Sequence, residues 1–60
     1  MPSPIDIQKA LSGMDYPASK DQIVQHAEQN GADEEILDAL RGIDDREYEG
    51  PSGVSSAVFD

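Results

Sequence analysis

The sequence predicts an all-α fold: a small bundle of four short helices arranged as two tandem helical hairpins. Three observations carry this. Apolar residues recur at i, i+3, i+4 and i+7, the period that lines one face of a helix. Capping residues and glycines punctuate those stripes. A phrase is also written twice: "IQKALSGMD" from Ile7 to Asp15 returns as "ILDALRGID" from Ile36 to Asp44, identical at five of nine positions, with Met14 exchanged for Ile43.

The first helix starts at Ser3, Pro4 and Asp6. A serine hydroxyl accepts from free N–H groups of the first turn, proline suits the first helical position, and an aspartate favours the positive end of the dipole. Ile7, Ala10, Leu11 and Met14 form its stripe, and Gly13 stops it by taking the left-handed conformation cheaply. Pro17, in "DYPAS", keeps helix away from the residue before it. Ser19 with Gln22 is a capping-box pattern for the second helix, whose stripe is Ile23, Val24 and Ala27 and whose stop is Asn30-Gly31.

Asp33 caps a third helix, with Glu34 and Glu35 in its positive first turn and Arg41 in its negative last turn. Ile36, Leu37 and Leu40 face inward and Gly42 closes it. "DDREYEGP" reads as a polar, acidic loop. Pro51 opens a fourth helix carrying Val54, Ala57 and Val58, against the poor propensity of Gly53 and three serines.

The doubled phrase has a physical reading: helix, glycine stop, then an apolar residue (Met14, Ile43) folded back onto the last turns. Tyr16 then corresponds to Tyr48 if three residues are inserted, and Ile23 and Ala27 line up with Val54 and Val58. Repeat 1 spans about 4–29 and repeat 2 about 33–59, within one domain of residues 1–60. Neither hairpin buries its stripe alone; two bury each other's, as stacked repeats do. The expected core is Ile7, Leu11, Met14, Ile23, Val24, Ala27, Ile36, Leu37, Leu40 and Ile43, with Val54 and Val58 closing one side.

Sixty residues make one domain at most. A chain of this length buries only about 60% of the surface its unfolded form exposes. With no cysteine it has neither a disulfide framework nor a thiolate zinc site, which suits a reducing cytoplasm. Thirteen acidic residues against four basic ones give a formal net charge of −9. That balance argues against non-specific attraction to nucleic acid or anionic membrane. The longest purely apolar run is Ala57-Val58-Phe59, far short of a membrane span, and "MPSPIDIQKA" lacks the basic start and apolar stretch of a signal peptide.

Several motifs invite chemistry and are better read as structure. Ala27, Gly31 and Leu37 have the spacing of a helix-turn-helix, but the would-be recognition helix is "DEEILDALR", four carboxylates and one arginine. Groove readers carry Arg, Asn or Gln, and a typical binder pairs about 6–10 phosphates. "ALSGMD" and "ALRGID" resemble helix-hairpin-helix turns in which Asp15 and Asp44 replace the second glycine, setting a carboxylate where a phosphate oxygen should lie. These aspartates brace the turn instead. Asp45, Glu47, Glu49 and Gly50 echo the start of a calcium loop, but its bidentate glutamate would fall on Ser56, so the stretch reads as a solvated acidic loop. His26 is the sole histidine, one step off the Ile23–Ala27 stripe, and reads as a boundary side chain rather than a catalyst. Tyr16 and Tyr48 each precede a Pro-containing helix start; packing over the next helix is the plain role, and partner binding the functional one.

On "PIDIQKAL-G-DYPASKDQIVQHA--NGADEEIL--L" the chain resembles a family of small bacterial proteins known as domain of unknown function number twenty-seven ninety-five. The resemblance runs from Pro4 to about Val58. Asp15-Tyr16-Pro17-Ala18-Ser19-Lys20 is its most specific stretch, then "NGADEE" from Asn30; "DREYEGPSGVSSAV" is similar to the family's closing segment but richer in Gly and Ser. The resemblance implies a bacterial, cytoplasmic protein and brings no activity or site residues to transfer.

The reading is therefore a non-enzymatic, acidic protein–protein interaction module. It needs no cofactor or metal and meets an unidentified protein partner through Tyr16 and Tyr48. A nucleic-acid-associated helical hairpin and a structural homodimer, which a small core favours, are the alternatives.

Overall fold

The computed structural model describes residues 3–59. Ser3 opens helix α1 (Pro4–Ala10) with a full capping box: its Oγ accepts from the Asp6 N–H at 3.2 Å and the Asp6 carboxylate accepts from the Ser3 N–H at 3.0 Å. Ser19 repeats the device for helix α2 (Lys20–Gln29), its Oγ accepting from the Gln22 N–H at 3.3 Å and Gln22 Oε1 from the Ser19 N–H at 2.9 Å. Such a cap contributes about 1 kcal/mol. At the far end of α2, Gly31 has φ 77°. The Gly31 N–H donates to the Glu28 carbonyl and the Ala32 N–H to the Ala27 carbonyl, both at 3.0 Å, the paired bonds of a left-handed C-terminal stop.

Helix α3 (Glu34–Arg41) departs from expectation at both ends. Asp33 stands at the N-cap with extended backbone, yet its side chain accepts no capping hydrogen bond. Glu34 and Glu35 still place charge in the positive first turn. Gly42 is right-handed (φ −88°), unlike its sequence counterpart Gly13 at φ 79°. The chain leaves α3 by a tightened turn, the Ile43 N–H donating to the Leu40 carbonyl at 3.4 Å, so no left-handed residue is needed. In the first helix the regular turns stop at Ala10, and Leu11–Gly13 form a turn.

The all-α expectation is amended by two short extended pieces. Strand β1 (Ala18–Ser19) pairs antiparallel with β2 (Glu47–Tyr48), Ala18 opposite Tyr48 and Ser19 opposite Glu47. Part of the expected acidic loop is thus strand. Two residues are too few to show a period of two, which is why periodicity does not reveal them. Helix α4 (Pro51–Phe59) comes after β2, completing the four helices.

The larger helix contacts fall between the two expected hairpins rather than within them. The most extensive helix contact is between α2 and α3, and α4 lies against α1 and β2. The cause is linker length. Only four residues, Asn30 to Asp33, join α2 to α3, so they become neighbours. The segment after α3 instead spends residues on β2, which carries the chain across to β1 before α4 begins. Ile7, Leu11, Ile23, Ala27, Leu37, Leu40, Ile43 and Val54 are buried as expected, and Met14, Val24, Ile36 and Val58 pack half-buried against them. Ala10, Ala18 and Tyr48 join the core, and no charged residue is buried among the described residues.

Candidate functional site

The two tyrosines part company. Tyr48 lies in the core at 1% exposure. Its hydroxyl donates to the Asp44 carbonyl at 2.7 Å, and the Arg46 guanidinium covers its ring at 4.4 Å from the centroid. Ala18 directly opposite on β1 is small, which leaves room for the ring. Tyr48 therefore presents no face to a partner, which corrects its expected role as a surface anchor. Sequence could not separate it from Tyr16, because both stand before a proline and burial is decided across the strand pair.

Tyr16 is half-buried. Its hydroxyl oxygen is enclosed without a hydrogen-bond partner among the described residues, and burial pushes the phenol above its ordinary pKa. The ring packs against the core with part of its surface still open, so Tyr16 is the one expected partner-binding side chain that remains accessible.

His26 has a definite task. Its Nε2 lies 2.7 Å from the Ser12 carbonyl oxygen. A carbonyl only accepts, so Nε2 carries a hydrogen and donates it. Asn30 Nδ2 donates to the Ala10 carbonyl at 2.9 Å and to the Ser12 carbonyl at 3.1 Å. His26 in the last turn of α2 and Asn30 at its C-cap thus satisfy carbonyls at and just beyond the end of α1. The boundary position of His26 was legible; the partner, fourteen residues away, was not.

The remaining candidates take structural places. Asp44 braces its turn through its backbone: its carbonyl accepts from the Tyr48 hydroxyl and from the Arg46 N–H at 3.0 Å. Asp15 is exposed. Of the calcium-like stretch, Glu47 belongs to β2, and among the described residues no group of three His, Cys, Asp or Glu side chains is placed to hold a metal ion. Of the helix-turn-helix positions, Ala27 and Leu37 are buried and Gly31 is the turn. Glu34, Glu35 and Asp38 lie exposed on α3. Arg41 is held by Glu34 and Asp38, both at 3.0 Å. Among the described residues no helix is long and apolar enough to cross a membrane.

Compared with known families, residues 2–55 match the one described as "Protein of unknown function (DUF2795)". Neither a curated protein nor a solved structure matches the chain.

Proposed function

The chain belongs to the DUF2795 family of proteins of unknown function, and from that premise we propose that it acts as a small, non-enzymatic, acidic protein–protein interaction module of the bacterial cytoplasm. Charge distribution carries the reading. Thirteen carboxylates stand against four basic side chains, and none of the described charged residues is buried. Two of the four cations are already engaged, Arg41 by Glu34 and Asp38 and Arg46 by the Tyr48 ring. An approaching molecule therefore meets mostly negative charge, which selects a basic partner and speeds its encounter. Tyr16 supplies a half-open ring for contact.

Affinity capture from a bacterial lysate tests this, with wild type and Tyr16→Ala compared at about 0.05 M and about 0.5 M salt, either side of effective screening. The reading expects a reproducible basic partner at low salt, lost at high salt and weakened by the substitution. Nothing reproducible, or a partner indifferent to both salt and Tyr16, overturns it.

A second reading, the structural homodimer, is favoured by Ile5 and Phe59, which are 64% and 42% exposed. Sedimentation over a hundredfold concentration range tests it; a mass that stays monomeric throughout removes it.

A further inference from the structure

Asn30 is the chain's sole asparagine, and Gly31 follows it. Both are exposed, so water reaches them. An Asn-Gly step is chemically weak. Glycine has no side chain to keep its backbone nitrogen away from the asparagine side chain, and that nitrogen attacks the amide carbon and expels ammonia when the chain is free to bend.

The fold holds this step in an unreactive shape. Ring closure needs the Gly31 nitrogen to eclipse the Asn30 Cβ about the Cα–C bond. At the C-cap of α2, Asn30 has φ −80° and ψ 0°. That conformation turns the Gly31 nitrogen toward the Asn30 backbone nitrogen, roughly a third of a turn away from Cβ. The Gly31 N–H is engaged by the Glu28 carbonyl at 3.0 Å. Asn30 Nδ2 donates to the Ala10 carbonyl at 2.9 Å and to the Ser12 carbonyl at 3.1 Å. Attack needs the backbone angle and these hydrogen bonds to be released together, and unfolding releases them.

The product does not fit the same place. A carboxylate at position 30 sets acceptors against two carbonyl oxygens at the negative end of α1, where the amide set a donor. An isoaspartate also lengthens the main chain by one carbon, directly before the left-handed Gly31 turn (φ 77°).

We propose that Asn30 is a deamidation site guarded by the folded state, and that its reaction is a one-way record of unfolding. The Gly31 nitrogen bonds to the Asn30 side-chain carbonyl carbon and gives up its proton. The bond from that carbon to Nδ2 breaks, and Nδ2 takes the proton and leaves as ammonia. Water then opens the cyclic imide. Cleavage at the side-chain carbonyl gives aspartate; cleavage at the main-chain carbonyl gives isoaspartate. One water is consumed and one ammonia released, with no change of oxidation state. A domain this small is marginally stable, so it visits the open state repeatedly, and each visit exposes the step. The site is separate from Tyr16 and stands whether or not the chain meets a basic partner.

Intact mass and peptide mapping of the full chain at mildly alkaline pH test this, in buffer and in guanidinium chloride above the unfolding midpoint. An end-blocked Gln-Asn-Gly-Ala peptide in both solvents corrects for the denaturant itself. After correction, native Asn30 is expected to react at least about tenfold more slowly than unfolded Asn30, because only the open fraction reacts. In denaturant, where folding plays no part, Gly31→Ala is expected to slow the reaction at least about tenfold, since a Cβ restricts the bend that attack requires. The Asn30→Asp variant, which carries the aspartate product, is expected to have a lower thermal midpoint than wild type. A native rate less than tenfold slower, an unfolded chain unreactive at Asn30, or a Gly31→Ala chain slowed less than tenfold overturns the site. An Asn30→Asp midpoint equal to or above wild type overturns its one-way character.

Discussion

The His26 imidazole and the Ser12 carbonyl oxygen meet at 2.7 Å across fourteen residues of chain, tying the last turns of α2 to the end of α1. Asn30 reaches the same carbonyl at 3.1 Å. Replacing His26 by Ala should cost about 1 kcal/mol, the net worth of one intramolecular hydrogen bond. Because both side chains serve Ser12, the His26→Ala/Asn30→Ala pair should be non-additive in a double-mutant cycle. Urea denaturation measures all three variants; simple additivity would show that the two side chains act independently.

The tyrosines should respond in opposite ways to loss of the hydroxyl. Tyr48→Phe removes the donor to the Asp44 carbonyl and should cost about 1 kcal/mol. Tyr16→Phe removes an enclosed hydroxyl without a partner among the described residues, so it should be neutral or stabilising. Tyr48→Ala should cost about 3–5 kcal/mol. A core of this size rarely supplies more than about 3–5 kcal/mol, so that variant is expected to be largely unfolded by circular dichroism.

The doubled phrase contains two glycines that behave differently. Gly13 has φ 79°, so Gly13→Ala is strained and should cost about 1 kcal/mol. Gly42 is right-handed, and a Cβ there meets nothing closer than the Ala39 carbonyl oxygen at 3.6 Å. Gly42→Ala should therefore stabilise by about 0.4–1 kcal/mol through the unfolded chain. Thermal midpoints of the two variants give the comparison directly; equal losses would mean that the two turns share one conformation.

Asp6 sets a pH dependence. Its hydrogen bonds with the Ser3 backbone and hydroxyl hold its carboxyl below the ordinary value of 3.8. The unfolded state then takes up a proton more readily than the folded state as acid is added. The resulting stabilisation is fully present above the ordinary carboxylate pKa and is lost as pH falls through the lower folded value. Urea midpoints from about pH 6 down to about pH 2 should therefore fall more for wild type than for Asp6→Asn. Parallel curves would remove the capping box as the source.

Local signals were legible and cross-chain ones were not. Ser3 with Asp6 and Ser19 with Gln22 are three-residue patterns, and both form complete capping boxes. The stripe residues Ile7, Leu11, Ile23, Ala27, Leu37 and Leu40 are buried because a helix period needs only a few turns to declare itself. Gly13 and Gly42 occupy the same place in the repeated phrase, yet one is left-handed and the other right-handed, so the nine shared positions do not determine the turn. The burial of Tyr48 depends on Ala18 thirty residues away, a pairing too short to leave a periodic trace. Of the candidate site, the sequence located both tyrosines but not their exposure: Tyr16 stays half-open, and Tyr48 lies in the core.

The amended fold requires Tyr48 to be an interior piece of the strand pair rather than a surface ring. The chain has two tyrosines and no tryptophan, so the Tyr16→Phe variant reports Tyr48 alone by fluorescence. Acrylamide should quench that emission weakly in the native state and several-fold more strongly once urea has unfolded the chain. Native-state quenching equal to that of the unfolded chain would place the ring in solvent and contradict the fold described above.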